Sequence, residues 1–296
     1  MQILECVPNI SEGRNLEIVE QVVEQIRQVA GVKLLNYSSD PDHNRSVLTY
    51  LGQPAAVLEA TQAMALKALA LIDMSRHEGS HPRMGAVDVV PFIPIRGVET
   101  DEAVEVARQF GRFLGQQGVP VYYYEDAATH PERVNLATIR QGQYEALPDK
   151  LKQPAWAPDE GPAEFNPRAG ATVTGVRFSL IAFNVNLRTT ELAIAERIAR
   201  AVRHSSGGYR YVKAMGVALT EQGLVQVSMN LTNYTKTPLP RVLETIRLEA
   251  ARHGVSIAGT EIVGAIPLGA LEDMVKHYVQ AHDFEVSQVI ESALLG

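Results

Sequence analysis

The chain has 296 residues, of which 46% are hydrophobic and 21% charged, with a formal net charge of -7. This is the composition of a folded chain rather than a disordered one, and at about 150 residues per domain it is long enough for two compact units. A net negative chain lacks the positive field that non-specific binding to DNA, RNA or an anionic membrane requires, and its single cysteine, Cys6, excludes an intramolecular disulfide, a multi-cysteine zinc cage and a Cys-x-x-Cys redox pair.

Met1 to Leu4 leads directly into an apolar strand with no basic leader and no small-residue cleavage site, so no export signal is expected and the protein is read as soluble and cytoplasmic. Ile3 to Pro8 predicts that first strand. Asn15 then caps a helix in which Leu16, Val19, Val23 and Ile26 recur at helical spacing, and Gly31 ends it. Strands are expected over Val32 to Tyr37 and Ser46 to Leu51, followed by a helix that starts at Pro54 and runs to about Ile72. Glu59, Gln62 and Lys67 interrupt the apolar run of that helix, which makes it a buried amphipathic helix and not a membrane span. Val87 to Ile95 reads as a further strand, and Pro91 and Pro94 place it at a sheet edge. The order is βαββαβ.

Thr100 to Gln117 predicts an extra helix with Thr100 near its cap, and Val121 to Tyr124 an aromatic strand. From Pro148 to Gly175 the prolines 154, 158, 162 and 167, with Gly161 and Gly170, exclude a continuous helix or a central strand, so the segment reads as linker and binding loop together. The βαββαβ order then returns: strand Phe178 to Val185, helix Thr190 to Val202 ending near Gly207 and Gly208, strand Tyr211 to Leu219, a turn at Gly223, strand Leu224 to Thr232, a helix from Pro240 to Gly254 and strand Val255 to Val263. Cys6-Val7-Pro8-Asn9 before the first helix echoes Phe183-Asn184-Val185-Asn186 before the second. The expected fold is α/β (α+β): two ferredoxin-like βαββαβ subdomains, residues 1–175 and 176–296, with a ligand cleft between them.

The stretch from Arg76 to Gly85 concentrates proton-active and cationic groups. His77-Glu78-Gly79-Ser80-His81 satisfies the His-Glu-x-x-His zinc signature literally, but that signature works on a helix, which Gly79 and Pro82 oppose, so no metal is expected. The stretch reads instead as a loop between the Pro54 helix and the Val87 strand. A histidine there suits general acid–base work, although a surface histidine bonded to backbone is the plainer reading of these residues by themselves.

Several ordered blocks resemble the formiminotransferase family: Glu5-Cys6-Val7-Pro8-Asn9-Ile10-Ser11-Glu12-Gly13, Asn44-Arg45-Ser46-Val47, Leu71 to His77, His81-Pro82-Arg83-Met84-Gly85-Ala86, Tyr144 to Pro148, Trp156 to Asp159, Gly161-Pro162 through Gly170-Ala171-Thr172, and Ile181 to Leu187. The resemblance implies transfer of a formimino group from N-formiminoglutamate to N5 of tetrahydrofolate, the folate being a co-substrate. It implies His81 as the catalytic acid and base, and the run Gly161, Pro162, Ala163, Glu164, Phe165, Asn166, Pro167, Arg168, Ala169 and Gly170 as the border of the folate site. Asn44 and Arg45 become candidates for substrate contact, and Arg45, Arg83 and Arg168 for pairing with substrate carboxylates. The family commonly reads His-Lys-Gly-Glu-His where this chain has His77-Glu78-Gly79-Ser80-His81, a change of charge order beside His81 that leaves a formyl donor as one alternative; a non-catalytic folate-binding protein, which would keep the cleft and the Gly161 to Gly170 loop without a proton shuttle, is another. A homodimer fits the resemblance, and with the chain ending at Gly296 a separate cyclodeaminase is expected to act on the product.

Overall fold

The computed structural model describes residues 2–295. One compact unit ends at Arg177 and a second begins at Phe178. In the first, β1 (Ile3–Cys6) and β2 (Asn9–Ile10) are two halves of one strand, interrupted at Val7 and Pro8. They are followed by α1 (Leu16–Arg27), β3 (Val32–Asp40), β4 (Arg45–Gly52), α2 (Pro54–Leu71) and β5 (Val87–Arg96). The strands lie in the order β3, β4, β1 with β2, then β5, all antiparallel, which is the ferredoxin-like arrangement. The chain continues through α3 (Thr100–Gln116), β6 (Val121–Glu125), the short helices α4 (Leu136–Ile139) and α5 (Leu147–Lys150), and β7 (Thr172–Val176). β7 pairs in parallel with β5, and β6 in parallel with β7, giving seven strands.

Local chemistry sets these elements. The Asn15 side chain accepts from the N–H groups of Glu17 and Ile18, as an N-cap should, and Val19, Val22, Val23 and Ile26 form the buried stripe of α1. α3 is capped by Glu99 in a reciprocal box with Glu102, one residue before the expected Thr100. Helices α1, α2 and α3 cover one face of the sheet, and on the other face Ile139, Leu147 and Leu151 pack against Val89, Tyr122, Tyr124 and Val173. The β5, β7 and β6 side of the sheet is therefore buried on both faces, whereas β4 alternates buried and half-buried residues.

Two expectations are corrected. β5 is not an edge strand, because β2 and β1 flank it on one side and β7 on the other. Its prolines fit for specific reasons. Val7 N–H donates to the Pro91 carbonyl at 3.2 Å, and the return bond that Pro91 cannot give to the Val7 carbonyl is supplied by Asn9 Nδ2, also at 3.2 Å. Pro94 lies beyond Phe92, the last β5 residue paired with β7. The segment expected to be linker up to Gly175 also contains a central strand: all five residues of β7 are buried. The run Thr172-Val173-Thr174 is β-branched and suits that position, but the prolines before it obscured it.

The second unit is β8 (Ile181–Leu187), α6 (Leu192–Val202), β9 (Val212–Leu219), β10 (Leu224–Leu231), α7 (Leu239–Arg252), β11 (Ile257–Val263) and α8 (Leu268–Tyr278). Its strand order β11, β8, β10, β9, antiparallel throughout, is again ferredoxin-like. Val225, Val227, Met229 and Leu231 are buried as the alternation in β10 requires. The helix α8 was not anticipated; Ala270 is its one fully buried residue, so its burial pattern is faint. Among the described residues no helix is long and apolar enough to cross a membrane.

A side chain at Gly175 would place its Cβ 2.2 Å from the Tyr124 carbonyl oxygen, which belongs to the neighbouring strand. Gly175→Ala is expected to destabilise the protein by about 1–3 kcal/mol, the usual cost of overpacking, read as a lower urea midpoint. An unchanged midpoint would mean that β6 and β7 are not packed as described.

Candidate active site

The turn between β3 and β4 is built by Asp40, whose Oδ1 accepts from the N–H groups of Asp42 and His43 while its Oδ2 pairs with His43 Nδ1 at 2.8 Å. These bonds, led by that from the His43 N–H, hold the Asp40 carboxyl below its ordinary pKa. Asn44 ends the turn in a left-handed conformation, φ 48°, which asparagine tolerates better than most residues. Its Oδ1 accepts from Gly13 N–H and its Nδ2 donates to the Glu78 carbonyl, both at 3.0 Å, so both polar atoms are engaged within the protein.

The loop from His77 to Ala86 is strapped to that turn. Ser80 N–H donates to the Asp42 carbonyl at 3.2 Å, and a Cβ at Gly79 would lie 2.3 Å from the His43 carbonyl oxygen, so only glycine lets the chains pass this closely. Residues 77–81 are irregular, not helical, and the two histidines have different partners. His77 Nδ1 accepts from Arg83 Nε at 3.3 Å, which leaves its Nε2–H to donate to the Asn44 carbonyl at 2.9 Å. Arg83 is largely committed elsewhere: its guanidinium spans both carboxylate oxygens of Glu145, at 2.9 and 2.5 Å, and also donates to Gln143 at 3.1 Å. Further along, Ser11 Oγ donates to the Gly85 carbonyl at 2.7 Å and Met84 N–H to Asp88 Oδ1 at 2.8 Å.

His81 is half-buried at the centre of this frame. Arg45 Nη1 stands 2.6 Å from His81 Nε2, the His43 ring meets the His81 ring edge-on at 5.5 Å between centroids, and His81 Nδ1 is shielded from solvent beside the Pro82 backbone. Burial, and then the positive charges of Arg45 and Arg140, push the His81 pKa down to about 4, so the ring is neutral at physiological pH. Arg140, just after α4, pairs with Asp88, which is fully buried in β5; burial outweighs the arginine and raises the Asp88 pKa. Burial likewise lowers the pKa of Arg45.

The glycine-proline segment meets the same loop. Ala86 N–H donates to the Ala169 carbonyl at 2.9 Å, and Ala171 N–H donates to that of Met84 at 3.0 Å. Gly170, at φ 69°, pairs with Gly85, and a Cβ on it would lie 2.1 Å from the Met84 oxygen. Within the segment, Asn166 Oδ1 accepts from the N–H groups of Arg168 and Ala169, Phe165 packs on Tyr144 at 5.4 Å, and Tyr144 OH donates to the Pro167 carbonyl at 2.6 Å. Arg168 donates to the Ala70 carbonyl at the end of α2, while Gly161 to Glu164 are exposed. The structure thus brings His81, Arg45, Asn44 and the Ala169–Gly170 end of the segment onto one frame; Arg168 reaches the end of α2, and Gly161 lies against Gly115 and Val119.

The family model for the formiminotransferase domain, N-terminal subdomain, matches residues 3–177, and that for the formiminotransferase domain matches residues 182–294. The chain belongs to the formiminotransferase family. It is 46% identical to a glutamate formimidoyltransferase of Streptococcus pyogenes serotype M1 over all of this chain and 99% of that one, and 44% identical to a glutamate formimidoyltransferase of Thermoplasma acidophilum over 98% and 97%. It is also 46% identical to the formimidoyltransferase-cyclodeaminase of Rattus norvegicus over 94% of this chain and 52% of that longer relative.

Two residues of this cluster escaped the sequence analysis. Asp88 and Arg140 lie outside the blocks singled out there and join only through the fold; a carboxylate inside the apolar run Val87 to Val90 was the one available signal. The change of charge at Glu78 has little hold on His81, because Glu78 is exposed and the charges acting on the imidazole come from Arg45, Arg140 and His43.

Asn44→Gly, which keeps the backbone but strands Gly13 N–H and the Glu78 carbonyl, is expected to cost about 1–3 kcal/mol. Asn44→Ala should cost a further ~1–2 kcal/mol for the left-handed conformation. Urea unfolding of both variants checks the order; equal losses would remove the backbone argument.

The lowered pKa of His81 also has a stability consequence. The folded state favours the neutral ring, so this contribution is fully present above pH 6.5 and is lost as the pH falls from 6.5 towards 4. His81→Gln, neutral at every pH, should flatten the decline of folding stability across that window. Parallel slopes for variant and wild type would contradict it.

Proposed function

We propose that this formiminotransferase moves the formimino group of N-formimino-L-glutamate to N5 of tetrahydrofolate, releasing glutamate, with His81 carrying the proton. The full-length identity to two glutamate formimidoyltransferases supports the reaction, and the neutral, shielded imidazole supports the role.

The reaction joins a secondary amine to an amidine carbon. The N5 lone pair attacks that carbon, the C=N π pair becomes a nitrogen lone pair, and a tetrahedral intermediate forms. The N5 proton must leave for the new bond to persist, and the glutamate nitrogen must gain one, because an amide anion does not depart. A neutral imidazole does both: it takes the proton from N5 and returns it to the glutamate nitrogen as the C–N bond breaks. Charge and proton count balance without a redox partner. The glycine-proline segment, residues 161–170, borders the folate in this reading, and its backbone ties at Met84 and Ala86 keep it next to the residues that follow His81. Arg45 and Asn44 supply the substrate-side wall, Arg45 by contact and Asn44 by holding the turn.

His81→Ala should lower the transferase rate by about 10²–10⁴-fold, the usual contribution of a general acid and base, with tetrahydrofolate still bound. The assay is spectrophotometric, with formiminoglutamate and formylglutamate offered separately. Full rate in the variant would remove the imidazole from the chemistry; turnover with the formyl donor alone would change the transferred group.

A further inference from the structure

Among the described residues, two solvent-shielded guanidinium nitrogens, Arg45 Nε and Arg140 Nε, lack a hydrogen-bond partner, and His81 Nδ1, shielded beside them, has only the Pro82 backbone near it. All three belong to one cluster. Two guanidiniums share it with a single buried carboxylate, Asp88, whose oxygens are already taken by Arg140 and by Met84 N–H. Asp40 acts on Arg45 from a distance, but its own oxygens are bonded to Asp42 and His43. The cluster thus carries one positive charge in excess and two N–H donors without a protein acceptor, which an anion would complete in charge and in hydrogen bonds together.

The same arginine occupies the imidazole. Arginine can only donate, so the 2.6 Å contact from Arg45 Nη1 fixes the lone pair on His81 Nε2 and the proton on Nδ1. The lone pair a base needs is therefore already in use. The groups facing the ring are Arg45 from β4, Arg140 after α4, His43 from the turn, and the backbone at Pro82; none of them is an anion.

We propose that Arg45 and Arg140 form a carboxylate subsite, and that a substrate carboxylate entering it draws Arg45 off His81 and frees Nε2 to accept a proton. The proposal rests on the reading of this site as a transferase for a glutamate-derived donor. A carboxylate matches the fork of Arg45 and the free Nε–H of Arg140, and it cancels the excess charge. His81 then loses a competing donor and a neighbouring cation together, and its basicity rises towards the range in which proton transfer at neutral pH is efficient. The proton path is N5–H to His81 Nε2, then Nε2–H to the glutamate nitrogen. Arg45 thus touches the substrate carboxylate, and it reaches the proton transfer only through His81.

The test is a titration of the His81 ring by ¹⁵N NMR on the full chain, free and with saturating L-glutamate as the probe. In the free protein the ring should titrate near pH 4 with its proton on Nδ1. Glutamate should move the midpoint up by about one pH unit or more, a tenfold change in proton affinity. In Arg45→Gln the midpoint should already be raised, and glutamate should move it little. Should that variant not fold, Arg45→Lys, which keeps the charge without the fork, is expected to show a weakened response to glutamate. A midpoint unmoved by glutamate in the wild type, whether or not glutamate binds, overturns the subsite, as does an unaltered midpoint in Arg45→Gln. Transferase turnover is measured on the same samples. Turnover without the shift leaves the reaction standing and removes the subsite; the shift without turnover does the reverse.

Discussion

Asp88 is the constraint on which the site depends. It is the extra residue of a β-bulge, since Asn9 pairs with Val89 and Ile10 with Val87, and it is 0% exposed. Bulges re-aim side chains, and this one points a carboxylate at the end of the loop that carries His81. One oxygen fixes Met84 N–H, three residues after His81, and the other holds Arg140. A buried ion pair of this kind contributes little net stability, because desolvation consumes most of its attraction. Removing one partner is far more costly than the pair is worth. Its value lies in direction: it fixes the loop path and brings a second guanidinium towards the imidazole.

The two units share one frame and use it differently. In the second, the β8 residues Phe183, Val185 and Leu187 face the helices, while Asn184 and Asn186 point to the opposite side and gather around Glu261, with Gln226 completing the group. That face carries amides and one carboxylate whose pKa is lowered by these amide bonds, Asn186 first. In the first unit, the residues outside the helix-covered core include Arg45 and Asp88, and an additional layer from α4 and α5 shields part of the sheet. The second layer delivers Arg140 and so makes the difference chemical. The duplicated pattern explains the framework; the insertion between β6 and β7 completes the electrostatics.

Local signals made much of this legible. Asn15 read as a cap because a short amide there can satisfy free N–H groups, and β10 read as half-buried because Val225, Val227, Met229 and Leu231 alternate. His81, Asn44 and Arg45 were singled out through motif blocks, and the fold brings Arg45 onto the His81 ring. What stayed hidden was non-local. β7 pairs in parallel with strands far away in sequence, and parallel pairing leaves no hairpin signal. Pro91 misled because the rule against proline in central strands assumes its missing donor goes unreplaced, and Asn9 replaces it. Asp88 and Arg140 lie 52 positions apart, and nothing in either neighbourhood announces the other.

The departure from the family pattern at residues 78 and 80 illustrates why charge order along a loop is a weak guide to a site. Read linearly, an acid at Glu78 and a hydroxyl at Ser80 should alter the imidazole three positions and one position on. In the fold, Glu78 contributes its carbonyl to Asn44 and leaves its carboxylate in solvent, where water screens it. Ser80 gives its N–H and hydroxyl to the Asp42 carbonyl. Both residues work as anchors between the loop and the turn, and anchoring uses backbone groups that many side chains would leave intact. The field at His81 comes from Arg45 and Arg140, on elements that approach from other parts of the chain. A sequence change within the loop can therefore leave the field at His81 alone, whereas a change at Asp88, outside the histidine loop altogether, would reach it through both oxygens.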